Sequence, residues 1–333
     1  MLYSAPLQSQ LPKKSLAALT SPRLGQGKGR PDKCKYSIEG RPGQSDLGRL
    51  LHFAHEHAPR LPMEDATLPL LDVTHEFLAL VEKETGYPAK LIEDPNLPTF
   101  AKVHMARGNV PAHFVYYKPT RDESLDYMIC FECGFVLRLF ENPPDHRFSL
   151  GGTAEGEHEV LSMLSGPGGA LTKFGLQPAQ LEQMASTFFS GLMTHLRSIP
   201  VGMRIADWIL ANYPALHSSQ RVTVLKELAD AKASMQPRIR EMTPERIFRP
   251  TMAINAAYAM FWADKYGMRE LAGPYRFGRY ESDGSALLKI WQQIPSDPLY
   301  DNDLIDRWGE RLRLTDWYKW VPYEPPQYGD NNG

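Results

Sequence analysis

From residue 178 onward one pattern runs almost without interruption: apolar residues at helical spacing, cut into segments by proline. Leu181, Met184, Ala185, Phe188, Leu192, Met193 and Leu196 recur at three- and four-residue steps and line one helix face. Pro178 stands where a helix begins. Pro200, Pro214, Pro237, Pro250, Pro274, Pro295 and Pro298 mark the breaks, because proline lacks an amide donor and clashes with the preceding turn. The spacing predicts further helices over 202–212, 219–235, 251–266, 285–293, 301–311 and 315–320. All six tryptophans (Trp208, Trp262, Trp291, Trp308, Trp317, Trp320) lie in this half and are expected to pack between helices.

The strands come earlier. Residues 66–86 form a helix, with Leu71, Thr74, Phe77, Leu78 and Val81 at helical spacing and Gly86 placed to stop it. Three short segments then have strand character: Ala89–Ile92, Phe100–Met105 and His113–Tyr117. Arg107-Gly108-Asn109 supplies a turn between the last two. A polar link, 118–126, leads to a helix reaching about residue 140, which Asn142-Pro143-Pro144 ends. Residues 150–177, with Gly151-Gly152 and Gly166-Pro167-Gly168-Gly169, read as a mobile surface insertion. The fold class is α+β: a small three-stranded antiparallel sheet packed with helices, then a mostly helical C-terminal region.

Residues 1–45 differ in kind. They are rich in Pro, Gly, Ser and Gln, and their basic residues greatly outnumber Asp32 and Glu39. Such a segment buries little, so a disordered basic tail is expected, the only part suited to nucleic acid. Residues 46–65 hold a short amphipathic helix with His52, His55 and His57, read as a polar helix end. The domain division is thus 1–45, 46–199 and 200–333. The net charge of −2 gives no general attraction to nucleic acid or anionic membrane. Three cysteines cannot build a disulfide framework. With no apolar run long enough for a bilayer and no visible signal peptide, a cytoplasmic protein is expected.

One stretch carries chemistry in its pattern: Phe131-Glu132-Cys133-Gly134-Phe135, inside the helix that follows the link. A zinc-peptidase helix has His-Glu-x-x-His; the two histidines lie one turn apart and hold the metal, while the Glu acts as general base. Here Phe131 and Phe135 stand at the ligand positions, and a phenyl ring has no lone pair to give. Glu132 and Gly134 remain. A mid-helix Gly costs roughly 0.5–1 kcal/mol relative to Ala, so close packing at Gly134 is expected to compensate.

This order of elements resembles the ImmA/IrrE family of zinc-dependent endopeptidases, over roughly residues 66–197. In that family a later helix supplies a third ligand, a Glu in Glu-x-x-Ala-small-x-Phe. Glu182-Gln183-Met184-Ala185-Ser186-Thr187-Phe188, followed by Leu192-Met193, fits that pattern. The resemblance implies a zincin-like domain that has lost both histidines. Glu132 would be a vestigial general base, and Phe131, Phe135, Glu182 and the sheet edge at Val115 would line the old substrate groove. It also implies a role in binding a peptide or protein partner, without cofactor, as a regulatory module in stress response or mobile-element defence, where active members cleave repressors.

The alternative is a hydrolase with a rebuilt zinc or thiol site around Glu132, Cys130 and Cys133, aided by a distant histidine such as His113 or His158. Cys130 and Cys133 form a lone CxxC inside an apolar helix, read as buried and inert. No Gly-x-Ser-x-Gly elbow and no phosphate loop is present. Arg238, Arg240, Arg246 and Arg249 read as a solvated charged segment, and Pro325-Pro326-Gln327-Tyr328 has the letters of a Pro-Pro-x-Tyr ligand.

Overall fold

Helix α1, Asp72–Thr85, buries Thr74, Phe77 and Val81 and ends as expected at Gly86, which takes φ 77° and donates its amide to the Glu82 carbonyl. Its start is closed from outside: Asp126 accepts from the Leu71 amide at 2.8 Å and the Thr74 hydroxyl at 2.5 Å. A carboxylate at a helix N-terminus satisfies free amides and complements the dipole. The computed structural model describes residues 70–97, 99–119, 124–167, 169 and 174–326. The expected tail 1–45, the histidine-bearing segment 46–65 and Tyr328 lie outside the described residues.

Strands β1 (Ala89–Glu93), β2 (Ala101–His104) and β3 (His113–Tyr117) form a sheet in the order β1-β3-β2. β2 and β3 make the expected antiparallel hairpin, with Val103 opposite Val115 and Gly108 at φ 59° in the turn. β1 runs parallel to β3, Leu91 opposite Val115. The sheet is therefore mixed, which corrects the antiparallel expectation. The chain leaves β1, lays β2 on the far side of β3, and returns between them.

Helix α2, Ser124–Glu141, is buried on nearly every side. Beyond it the described part of the expected insertion includes a strand and a helix. β4, Phe148–Gly152, pairs antiparallel with β5, Tyr318–Pro322, in a second sheet. The segment predicted as a helix over 315–320 is thus one short turn and a strand. α3, Ala154–Ser165, begins at Thr153, whose hydroxyl accepts the Gly156 amide.

The helical half follows as α4 (Pro178–Asn212), α5 (His217–Ala233), α6 (Pro237–Met242), α7 (Glu245–Lys265), α8 (Gly273–Phe277), α9 (Glu281–Gln293) and α10 (Asp301–Leu312). Two prolines do not break their helices. Pro200 lies inside α4 and Pro250 inside α7. Burial on both flanks overrides the local penalty: Leu196 and Ile199 before Pro200, Met203 and Ile205 after it, are all buried. The division expected at 199–200 falls within α4, and one core cluster includes both Phe77 and Trp317. Among the tryptophans Trp208 departs from expectation: it is 37% exposed, resting on Phe77 and Tyr213.

Gly134 has the close packing its cost demands. A Cβ there would stand 2.4 Å from Ile205 Cγ2 of α4. Gly134→Ala is expected to destabilise by about 1–2 kcal/mol, because overpacking costs about 1–3 kcal/mol and the gain in helix propensity returns part of it. Urea denaturation measures this; a stabilised variant would show that the two helices are not held together at this point.

Candidate functional site

Each side of α2 meets a different element. Cys130 faces α1, its Sγ 3.8 Å from the Thr74 hydroxyl. The Tyr127 amide donates to the Ser219 hydroxyl of α5 at 3.0 Å. Phe131 and Phe135, with ring centroids 5.3 Å apart, turn toward α4. There Gly202 makes room: a Cβ on it would lie 2.9 Å from the Phe131 ring. Glu132 faces the sheet, and its Oε2 accepts from the Val103 amide of β2 at 3.0 Å.

The two would-be ligand positions therefore look into a helix interface, while the would-be base looks at a strand edge. Glu182 joins neither. It is exposed in the first turns of α4, and at 1.5 Å per residue Gly202 lies roughly 30 Å further along the same helix. The residues that a zinc endopeptidase uses do not fit a metal here: two rings without lone pairs, and the carboxylate at the third-ligand position more than half the length of α4 away. Among the described residues no group of three or more His, Cys, Asp or Glu is placed to hold a metal ion.

Glu132 is 5% exposed. Burial, only partly offset by the Val103 amide and Arg197, pushes its carboxyl up to about 7. Glu227, itself buried and accepting from the Tyr258 hydroxyl at 2.6 Å, adds to the rise. The thiols move away from reactivity: burial pushes Cys130 up to about 12 and Cys133 well above its ordinary value. Of the two candidate histidines, His158 is exposed on α3. His113 is buried with both ring nitrogens occupied. Nδ1 accepts from the Ala106 amide at 3.1 Å, so Nε2 carries the proton toward the Thr85 hydroxyl, also at 3.1 Å. Burial pulls its pKa down to about 4.

Val115 does not mark an edge. It is fully buried on the central strand, so the groove position expected there is corrected. The true edges are β1 and β2, and they differ. On β2 the outward Val103 amide is held by Glu132, and the Ala101 carbonyl accepts from the Thr99 hydroxyl at 3.2 Å. On β1 the bonds from His113 to the Pro88 carbonyl and from Asp94 to the Tyr117 carbonyl set the alternation. Ala89, Leu91 and Glu93 consequently turn their backbone groups away from the sheet. No sequence pattern pointed to Leu91 or Thr99, because which strand is central depends on topology.

The arginine segment is also engaged. Arg246 donates to the Leu312 and Arg313 carbonyls, Arg249 to Asp283, and Arg240 lies over the Phe248 ring. Comparison with protein-family models, with curated proteins and with solved structures gives no match for this chain.

Proposed function

We propose that this chain is a non-hydrolytic protein of ImmA/IrrE-type descent that binds an extended peptide or protein segment along the outer edge of β1. On that lineage it acts as a regulatory module in stress response or mobile-element defence. The observation that carries the binding mode is the contrast between the edges: β2 is closed by Glu132 and Thr99, whereas β1 ends the sheet with Ala89, Leu91 and Glu93 facing outward. A strand added there gains main-chain hydrogen bonds, and alternate side chains set its specificity. A thiol hydrolase at Cys130 or Cys133 is not retained, since burial raises both thiols.

Selection of phage-displayed random peptides on the full chain tests this. Leu91→Pro removes an outward amide and leaves the β1–β3 ladder intact, as edge strands tolerate. It is expected to weaken binding of selected peptides by about tenfold, from the loss of one main-chain hydrogen bond and the intrusion of the proline ring where the added strand would lie. Leu91→Ala controls for the lost side chain and is expected to keep most of the affinity. Failure to select any peptide, or equal binding by folded Leu91→Pro, would overturn the reading.

A further inference from the structure

We propose that two copies of this chain associate through Phe277 of each copy, inserted into a pocket between α3 and α6 of the other. Phe277 is 92% exposed, the most exposed of the large apolar side chains among the described residues. It is not on a loose tip. Its neighbours Tyr275 and Tyr280 are 1% and 8% exposed, and the Tyr280 amide bonds the Tyr275 carbonyl at 2.9 Å. Gly278 is so tightly seated that a Cβ would lie 2.6 Å from the Tyr280 ring and 3.0 Å from Met235. Arg279 is held at φ 65°, a conformation uncommon for a residue with a side chain. Such outliers persist where the surroundings enforce them and cluster at functional points. The turn presents one benzyl group to solvent with Arg276 and Arg279 beside it.

The receiving pocket is on the same chain. It is an open depression with a volume of about 510 Å³, room enough for a benzyl group. Met163 and Pro244 supply part-exposed apolar wall over the buried Leu164 and Met242, Thr243 adds a polar group, and Glu241 and Glu245 stand exposed at the rim. Arg240 also lines it but lies over the Phe248 ring. The match is of both kinds, the Phe277 ring to the apolar part of a mixed polar and apolar lining and Arg279 to the rim carboxylates. Arg276 already pairs with Glu281 at 2.9 Å, which leaves Arg279 as the steering charge. Knob and pocket are also near one another: Gly278 touches Met235, two residues before α6 begins. A patch carrying both halves of a complementary pair can meet its own copy about a two-fold axis, each Phe277 filling the partner's pocket.

Sedimentation velocity of the full chain from about 1 to 200 µM, the range of modest interfaces, reads the association. Wild type is expected to dimerise within it. Phe277→Ser is expected to raise the dissociation constant at least about tenfold, as removal of a central aromatic anchor does, with melting unchanged. Arg279→Glu and Glu241→Arg are each expected to weaken the dimer, and their combination to restore it. A wild type that stays monomeric throughout, or a Phe277→Ser variant that dimerises like wild type, would overturn the proposal. So would a double variant no better than the singles.

Discussion

Asp301→Ala is expected to lower stability by about 3–5 kcal/mol, the usual result of removing one partner from a buried ion cluster. Asp301 opens α10 and accepts three hydrogen bonds of 2.8 Å, two from Arg138 of α2 and one from Arg204 of α4. The Arg204 side chain is 2% exposed and that of Asp301 13%, so solvent screens this cluster little. Burial pulls Arg204 down and Asp301 holds it up. Without the carboxylate, the two guanidinium groups keep backbone carbonyls as hydrogen-bond partners, Ser296 for Arg138 and Ile294 for Arg204, and Arg204 keeps only the weaker attraction of Asp297. The cluster joins three helices far apart in sequence, so the loss should appear in global unfolding, as a fall in Tm on the order of 10 °C. Repeating the substitution in an Arg204→Leu background should cost less, because the orphaned cation is gone. A loss below about 1 kcal/mol for Asp301→Ala would place the cluster with screened surface pairs.

Glu132→Gln is expected to stabilise the protein at alkaline pH by up to about 3 kcal/mol, a ceiling set by about 1.36 kcal/mol for each pKa unit. The folded carboxyl, near 7, lies above its ordinary 4.5. Between those values the folded state binds more protons than the unfolded. The contribution is present below about 4.5 and is lost as pH rises through 7. Gln keeps an oxygen for the Val103 amide and carries no charge at any pH. His113 works in the opposite sense. Its folded value, about 4, lies below the ordinary 6.5, so stability is present above 6.5 and lost as pH falls toward 4. In the wild type the two slopes oppose each other between about 4.5 and 6.5. The Gln variant should expose the His113 slope, becoming steadily less stable on acidification across that window. Urea midpoints at pH 5, 6.5 and 8 decide this. A Gln variant no more stable than wild type at pH 8 would mean that Glu132 is hydrated when ionised.

What the sequence revealed follows from how local its signals are. Gly86 as a helix stop, the 107–110 turn and the β2–β3 hairpin depend on neighbouring residues, and the structure has them as expected. Strand direction does not: a five-residue strand such as Ala89–Glu93 looks the same running either way, so the parallel β1 was not legible. β4 and β5 lie more than 150 residues apart, and neither half of that pair is recognisable alone. Pro200 and Pro250 gave strong local signals that burial overrode. At the candidate site the letters were legible and the directions were not. Phe131, Glu132 and Phe135 lie on one helix, as the spacing predicts. That the rings meet Gly202, that Glu132 reaches Val103, and that Glu182 faces solvent elsewhere along α4 depend on how three elements are arranged.

Phe131-Glu132-Cys133-Gly134-Phe135 is a packing unit whose acid secures a strand edge, and we propose that it holds no metal. The most direct test is zinc stoichiometry after equilibrium dialysis of the full chain against micromolar zinc. The account predicts well under one zinc per chain, unchanged by Glu132→Gln or Glu182→Gln. One tightly held zinc per chain, lost in the folded Glu132→Gln variant, would contradict it.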